Sequence, residues 1–138
     1  MWGTINDLFA TLLECGGACA ISGGFSNDLY NEELYAPIGL TIALVCVAIP
    51  LFYYYGINHP FLARPRYWLL FMLAAAGISG IGTYYIIISK FSSEGFETDY
   101  TVEYYTFSLL AGLISIMGAL FLSILGKNWS TNCSKTPF

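Results

Sequence analysis

The residues with the most chemical capacity in this chain are Cys15 and Cys19. They sit four apart in the stretch LECGGACAISGG, with Glu14 directly before the first. Thiols at that spacing suggest a disulfide, half of a metal clip, or a processing site. An undistorted helix does not present two cysteines four apart in disulfide geometry, but the Gly16-Gly17 pair allows the bend that does. A metal site lacks a second ligand pair, and the only histidine, His59, lies far along the chain. Cleavage is disfavoured, because the start MWGTIND has no basic region. Attachment of a lipid at Cys15 fits poorly with Glu14 preceding it. Two readings stay open: a glycine bend holding two small buried thiols, or a disulfide between Cys15 and Cys19.

No other constellation suggests a reaction. His59 is alone, and the serines are scattered without a base beside them. GISGIG, Gly77 to Gly82, is no nucleotide loop, because it lies within an apolar run. The sequons at Asn128 and Asn132 fall on the expected cytoplasmic side and read as chance matches. The expectation is a chain that is not an enzyme, with no cofactor and no metal.

The elements that position these residues are set by composition. Of 138 residues, 57% are hydrophobic and only 10% charged, against roughly 25% charged in a soluble domain. Three uncharged runs stand out: 36–57, 67–89 and 105–126. Each is long enough to cross a hydrocarbon core as a helix, which needs about 20 residues. A helix satisfies every backbone polar group within the segment. Pro37 falls in the first turn of the first run, where a missing N–H costs little. Pro50 is expected to kink that helix near its end. Pro60 and Pro65 place a turn in the first connection.

Charge sorts by segment. All nine acidic residues fall in the N-terminal 35 residues or the second connection. Arg64, Arg66, Lys127 and Lys135 fall in the first connection or the tail. Three crossings put these two groups on opposite sides. The excess of Lys and Arg then places the first connection and the tail in the cytoplasm. The N-terminus is expected outside, most simply in a bacterial inner membrane. A net charge of -4 argues against nucleic acid as a partner. Tyr53, Tyr54, Tyr55, Trp68 and Trp129 are expected to ring one interface, and Tyr30, Tyr35, Tyr84, Tyr85, Tyr104 and Tyr105 the other.

Residues 1–35 read as an extracytoplasmic amphipathic helix followed by an acidic linker, and 127–138 as a cytoplasmic tail. Ile5, Leu8, Phe9, Leu12 and Leu13 share one helical face, suited to the outer leaflet or to a partner. A fourth crossing over residues 8–25 would bury Glu14 and break the charge sorting. The second connection carries four acids among aromatic residues, and Glu97, Asp99 and Tyr100 are its candidate partner contacts.

Within the spans, Ser108, Gly112, Ser115, Ala119 and Ser123 line one face of the third helix. Ala76 with Gly80, and Ala75 with Ser79, form small-xxx-small pairs in the second. Such faces let membrane helices approach closely, within one chain or between copies. The fold class expected is an all-α integral membrane protein, three transmembrane helices preceded by an N-terminal amphipathic helix. Its expected partners are the lipid bilayer and other membrane subunits, copies of itself included. Its expected function is that of a non-catalytic multi-pass subunit anchoring or assembling a larger membrane complex. The alternative is an oligomeric, holin-like pore with the serine face of the third span around water.

Overall fold

A computed structural model describes residues 2–17, 23–57, 65–94 and 100–127. The order is α1 (Trp2–Gly17), α2 (Gly23–Asn31), α3 (Tyr35–Leu51) continuing through a π-helical turn (Phe52–Ile57), α4 (Pro65–Glu94) and α5 (Thr101–Lys127). Three stretches are long and apolar enough to span a membrane: Tyr35–Tyr55, Arg66–Ser93 and Thr101–Leu125.

The spans run up, down and up. Cys46 reaches Ser115 and Tyr54 reaches Ser123, so α3 and α5 run parallel. Gly80 faces Ser108 and Gly112 faces Ala76, so α4 and α5 run antiparallel. Gly82 meets Thr41 while Phe71 meets Phe52, which makes α3 and α4 antiparallel as well. One end of the bundle therefore gathers the starts of α3 and α5 with the finish of α4.

Both α4 and α5 outrun their expected spans. At 30 residues α4 is about 45 Å long, more than the roughly 30 Å of a hydrocarbon core. Its last turns carry Lys90, which pairs with Glu32 of the segment after α2 at 3.4 Å. The single base on the acidic side thus stands against an acid. Pro50 removes one N–H and crowds the preceding turn, and the helix widens into the π turn directly after it.

The stretch read as an acidic linker contains α2. Phe25 is completely buried, with the rings of Phe91, Tyr100, Tyr104 and Phe107 all within 6.0 Å. The turn that ends α2 explains why so short a helix holds. Leu34 N–H donates to Leu29 C=O and Glu33 N–H to Tyr30 C=O, each at 3.0 Å. This is a Schellman arrangement, and Leu29 and Leu34 close it in the same buried cluster. Glu33 occupies the left-handed position, φ 53°, where glycine is usual.

Candidate functional site

Along α1 the expected single apolar stripe divides in two. Asn6, Ala10 and Leu13 are buried against the bundle, and Phe9 is half-buried with its ring over Gly39. Leu8 and Leu12 face away, 56% and 61% exposed. The reason is Asn6, whose side chain turns the helix. Its Oδ1 accepts from Ala36 N–H at 3.2 Å and its Nδ2 donates to Tyr30 C=O at 3.4 Å. The first bond satisfies a donor in the opening turn of α3 that has no partner within its own helix. Asp7 accepts from Tyr30 Oη. That bond to a carboxylate holds the Tyr30 hydroxyl above the ordinary tyrosine range. Glu14 accepts from Ser26 Oγ and, at 2.9 Å, from Tyr35 Oη. These contacts fasten α1 and α2 over the end of the bundle.

Tyr100 lies against Phe25 at 5.5 Å and is half-buried, turned toward the bundle. Glu97 and Asp99 lie outside the described residues, as does Cys19. Cys15 falls in the last turn of α1, and the proposed disulfide is therefore not described. Among the described residues, no group of three or more His, Cys, Asp and Glu is arranged to hold a metal.

Inside the spans the small residues make close backbone contacts. A Cβ added at Gly80 would lie 3.1 Å from the Ser108 carbonyl oxygen, and one at Gly112 would lie 3.1 Å from that of Ala76. Gly118, which belongs to no small-residue pair in the sequence, is tighter: a Cβ there would lie 2.7 Å from Cys46 Sγ. Ser115 is fully buried, its Oγ 3.5 Å from the Ala75 carbonyl, and Cys46 Sγ reaches the Ser115 carbonyl at 3.4 Å. Ser123 is also fully buried. Its Oγ lies 2.6 Å from Tyr54 Oη and accepts from Trp68 Nε1 at 3.1 Å. Ala119 packs in the same cluster with Tyr53, Tyr54, Trp68 and Met72.

Five residues expected at the membrane interfaces are thus inside the bundle: Tyr35, Tyr53, Tyr54, Trp68 and Tyr104. Tyr30, Tyr55, Tyr85 and Tyr105 face out. Amphipathic patterning does not separate the two sets, because a buried hydroxyl with a partner is as stable as a wet one. Among the described residues, Thr83 and Ser108 are the exceptions: each has a buried hydroxyl with no hydrogen-bond partner. Ser108 also lines an open apolar groove of about 560 Å³ between α4 and α5.

The arrangement defines an all-α integral membrane protein of three spans, closed at one end by an N-terminal helical cap. In comparisons with known proteins, the chain matches no family model, no curated protein and no solved structure.

Proposed function

We propose that this chain is a non-catalytic multi-pass subunit that anchors or assembles a larger membrane complex. A secretion, injection or conjugation apparatus is the first candidate, and a respiratory complex with an accessory subunit the second. The bacterial inner membrane is the proposed site, with the cap outside and the C-terminus in the cytoplasm.

The observation that carries this reading is where the polar groups of the spans are used. Cys46, Ser115, Tyr54, Trp68 and Ser123 are joined to one another or to backbone carbonyls across helices. Their chemistry is committed to holding the bundle together. The serine face that an oligomeric pore would turn toward water instead points into the chain's own core. Meanwhile Leu8 and Leu12 on the cap lie exposed beside Asp7 and Thr11. That is a mixed surface of the kind a neighbouring subunit covers.

The test places a photoreactive residue at Leu8 or Leu12 and irradiates native membranes. Purification in mild detergent should yield a covalent adduct with another membrane protein at fixed stoichiometry. A chain that purifies alone, without such adducts, contradicts the reading. If that lone chain passes ions in planar bilayers, it is the pore instead.

A further inference from the structure

Helix α1 has three sides, each about 100–130° from the next at 3.6 residues per turn. Asn6, Ala10 and Leu13 are buried against the bundle. Thr4, Asp7 and Thr11 are polar and exposed. Leu8 and Leu12 are apolar and exposed, with Ile5 half-buried beside them. A helix lying between protein and water needs only the first two sides. The third, apolar and uncovered, requires a third environment.

The contacts of α1 fix how it lies. Asn6 and Glu14 are about 12 Å apart along its axis, yet they reach adjacent residues of α3. Asn6 accepts from Ala36 N–H and Glu14 from Tyr35 Oη. Helix α1 therefore crosses α3 instead of running along it, and lies in the plane of a membrane that the spans thread. Its roll follows from what each edge of the buried side touches. At the polar edge, Asp7 and Glu14 bond Tyr30 and Ser26 of α2, which precedes the first span. At the apolar edge, Phe9 sets its ring on Gly39, one turn inside that span. The polar side is thus turned toward the cap, and the side with Leu8 and Leu12 is turned down along the spans.

We propose that α1 is an interfacial helix, with Leu8 and Leu12 immersed in the acyl chains of the leaflet on the cap's side of the membrane. Depth selects this occupant. Gly39 lies about 6 Å along α3 from Tyr35, where the span begins. An interfacial helix sinks its apolar side about 5–10 Å. At and below that level α3 exposes Leu40 and Leu44, so the space under α1 borders an apolar wall. A water-soluble domain does not reach there. Charge selects among lipid contacts. Free amphipathic helices use Lys and Arg to hold anionic head groups, whereas α1 carries Asp7 and Glu14 and no base. It needs none, because Asn6, Phe9 and Glu14 fasten it to a span that keeps it at the surface. Neutral lipid therefore suffices. In an assembled complex the neighbouring subunit would replace these acyl chains at the same depth, but the immersion of α1 does not rest on that subunit.

The test attaches a bimane fluorophore to one cysteine at a time: Thr4→Cys, Leu8→Cys, Thr11→Cys or Leu12→Cys. The full chain is used, with its four native cysteines replaced. All four labelled positions are exposed, so the label displaces no packed side chain, and circular dichroism checks that each variant is folded. The purified chain is placed at one copy per disc in phosphatidylcholine nanodiscs. Phosphatidylcholine brominated on its acyl chains should remove most of the fluorescence at positions 8 and 12 and leave positions 4 and 11 near full intensity. Aqueous iodide should do the opposite. Iodide quenching at 8 and 12 equal to that at 4 and 11 overturns the proposal, because that side then faces water. Labels at 8 and 12 shielded from both quenchers overturn it as well, because protein then covers them. So does quenching by brominated lipid that appears only after anionic phosphatidylglycerol is added. The purified chain contains no neighbour, so failure here is distinct from failure to find one in native membranes.

Discussion

Gly118 and Cys46 give the sharpest test of how α3 and α5 fit together. A methyl at position 118 would lie 2.7 Å from Cys46 Sγ but 3.5 Å from Cys46 Cβ. The first distance is a clash and the second is ordinary contact. Gly118→Ala should therefore cost about 1–3 kcal/mol, the usual range for overpacking a filled interior. Cys46→Ala alone loses the sulfur and its weak contacts with Ser115, a cost on the order of 1 kcal/mol. In the double variant the new methyl occupies space the sulfur has left. Its cost should be close to that of Cys46→Ala alone, so the coupling relieves about 1–3 kcal/mol, as expected for residues in direct contact. Reversible unfolding in mixed micelles, followed by circular dichroism, measures all four corners of the cycle. Gly77→Ala serves as control and should be neutral or mildly stabilising, since its Cβ meets open space. If the costs of Gly118→Ala and Cys46→Ala simply add, the two helices do not meet in this register.

Three further outcomes follow from the cap. Glu33→Gly removes the strain of a side chain at φ 53° and should stabilise the fold by about 0.5–1 kcal/mol, read in the same unfolding assay. Asn6→Leu leaves the Ala36 N–H without its acceptor and should destabilise by about 1–3 kcal/mol, with faster amide exchange at the start of α3. Tyr30 should ionise above the ordinary value of 10.0, because its hydroxyl donates to Asp7. The fold favours the neutral phenol, so this contact is intact below that value and is lost as pH rises through the higher one. Asp7→Asn should lower the Tyr30 transition in an ultraviolet titration, and an unchanged transition would remove Asp7 as its cause.

The spans were legible because uncharged runs of that length have few other physical outcomes. Small residues at helical spacing also pointed to the side of α5 that α4 covers, since only a missing side chain lets two backbones come within contact distance. What periodicity does not carry is the choice between two apolar faces. On α1, Leu8 and Leu12 match the pattern as well as Phe9 and Leu13 do, and a single buried amide, Asn6, decides between them. The helix at 23–31 was hidden for a related reason. GGFSNDLYN has weak helical propensity, and it holds through Phe25 in its cage of rings and the turn at Glu33. The partners of Trp68 and Tyr54 were out of reach as well, because Ser123 is 55 residues from one and 69 from the other. Gly118 carries no sequence signal because its neighbour is the Cys46 side chain on α3 and not a second small residue.

The central claim is that three helices thread the bilayer in alternating directions. Single cysteines replacing Asn27 on α2 and Arg66 on α4, both exposed, in a cysteine-free background, test it most directly. A membrane-impermeant thiol reagent should label one of the two in sealed vesicles of uniform orientation, and both once detergent opens them. Equal labelling of both positions while the vesicles remain sealed would contradict the account.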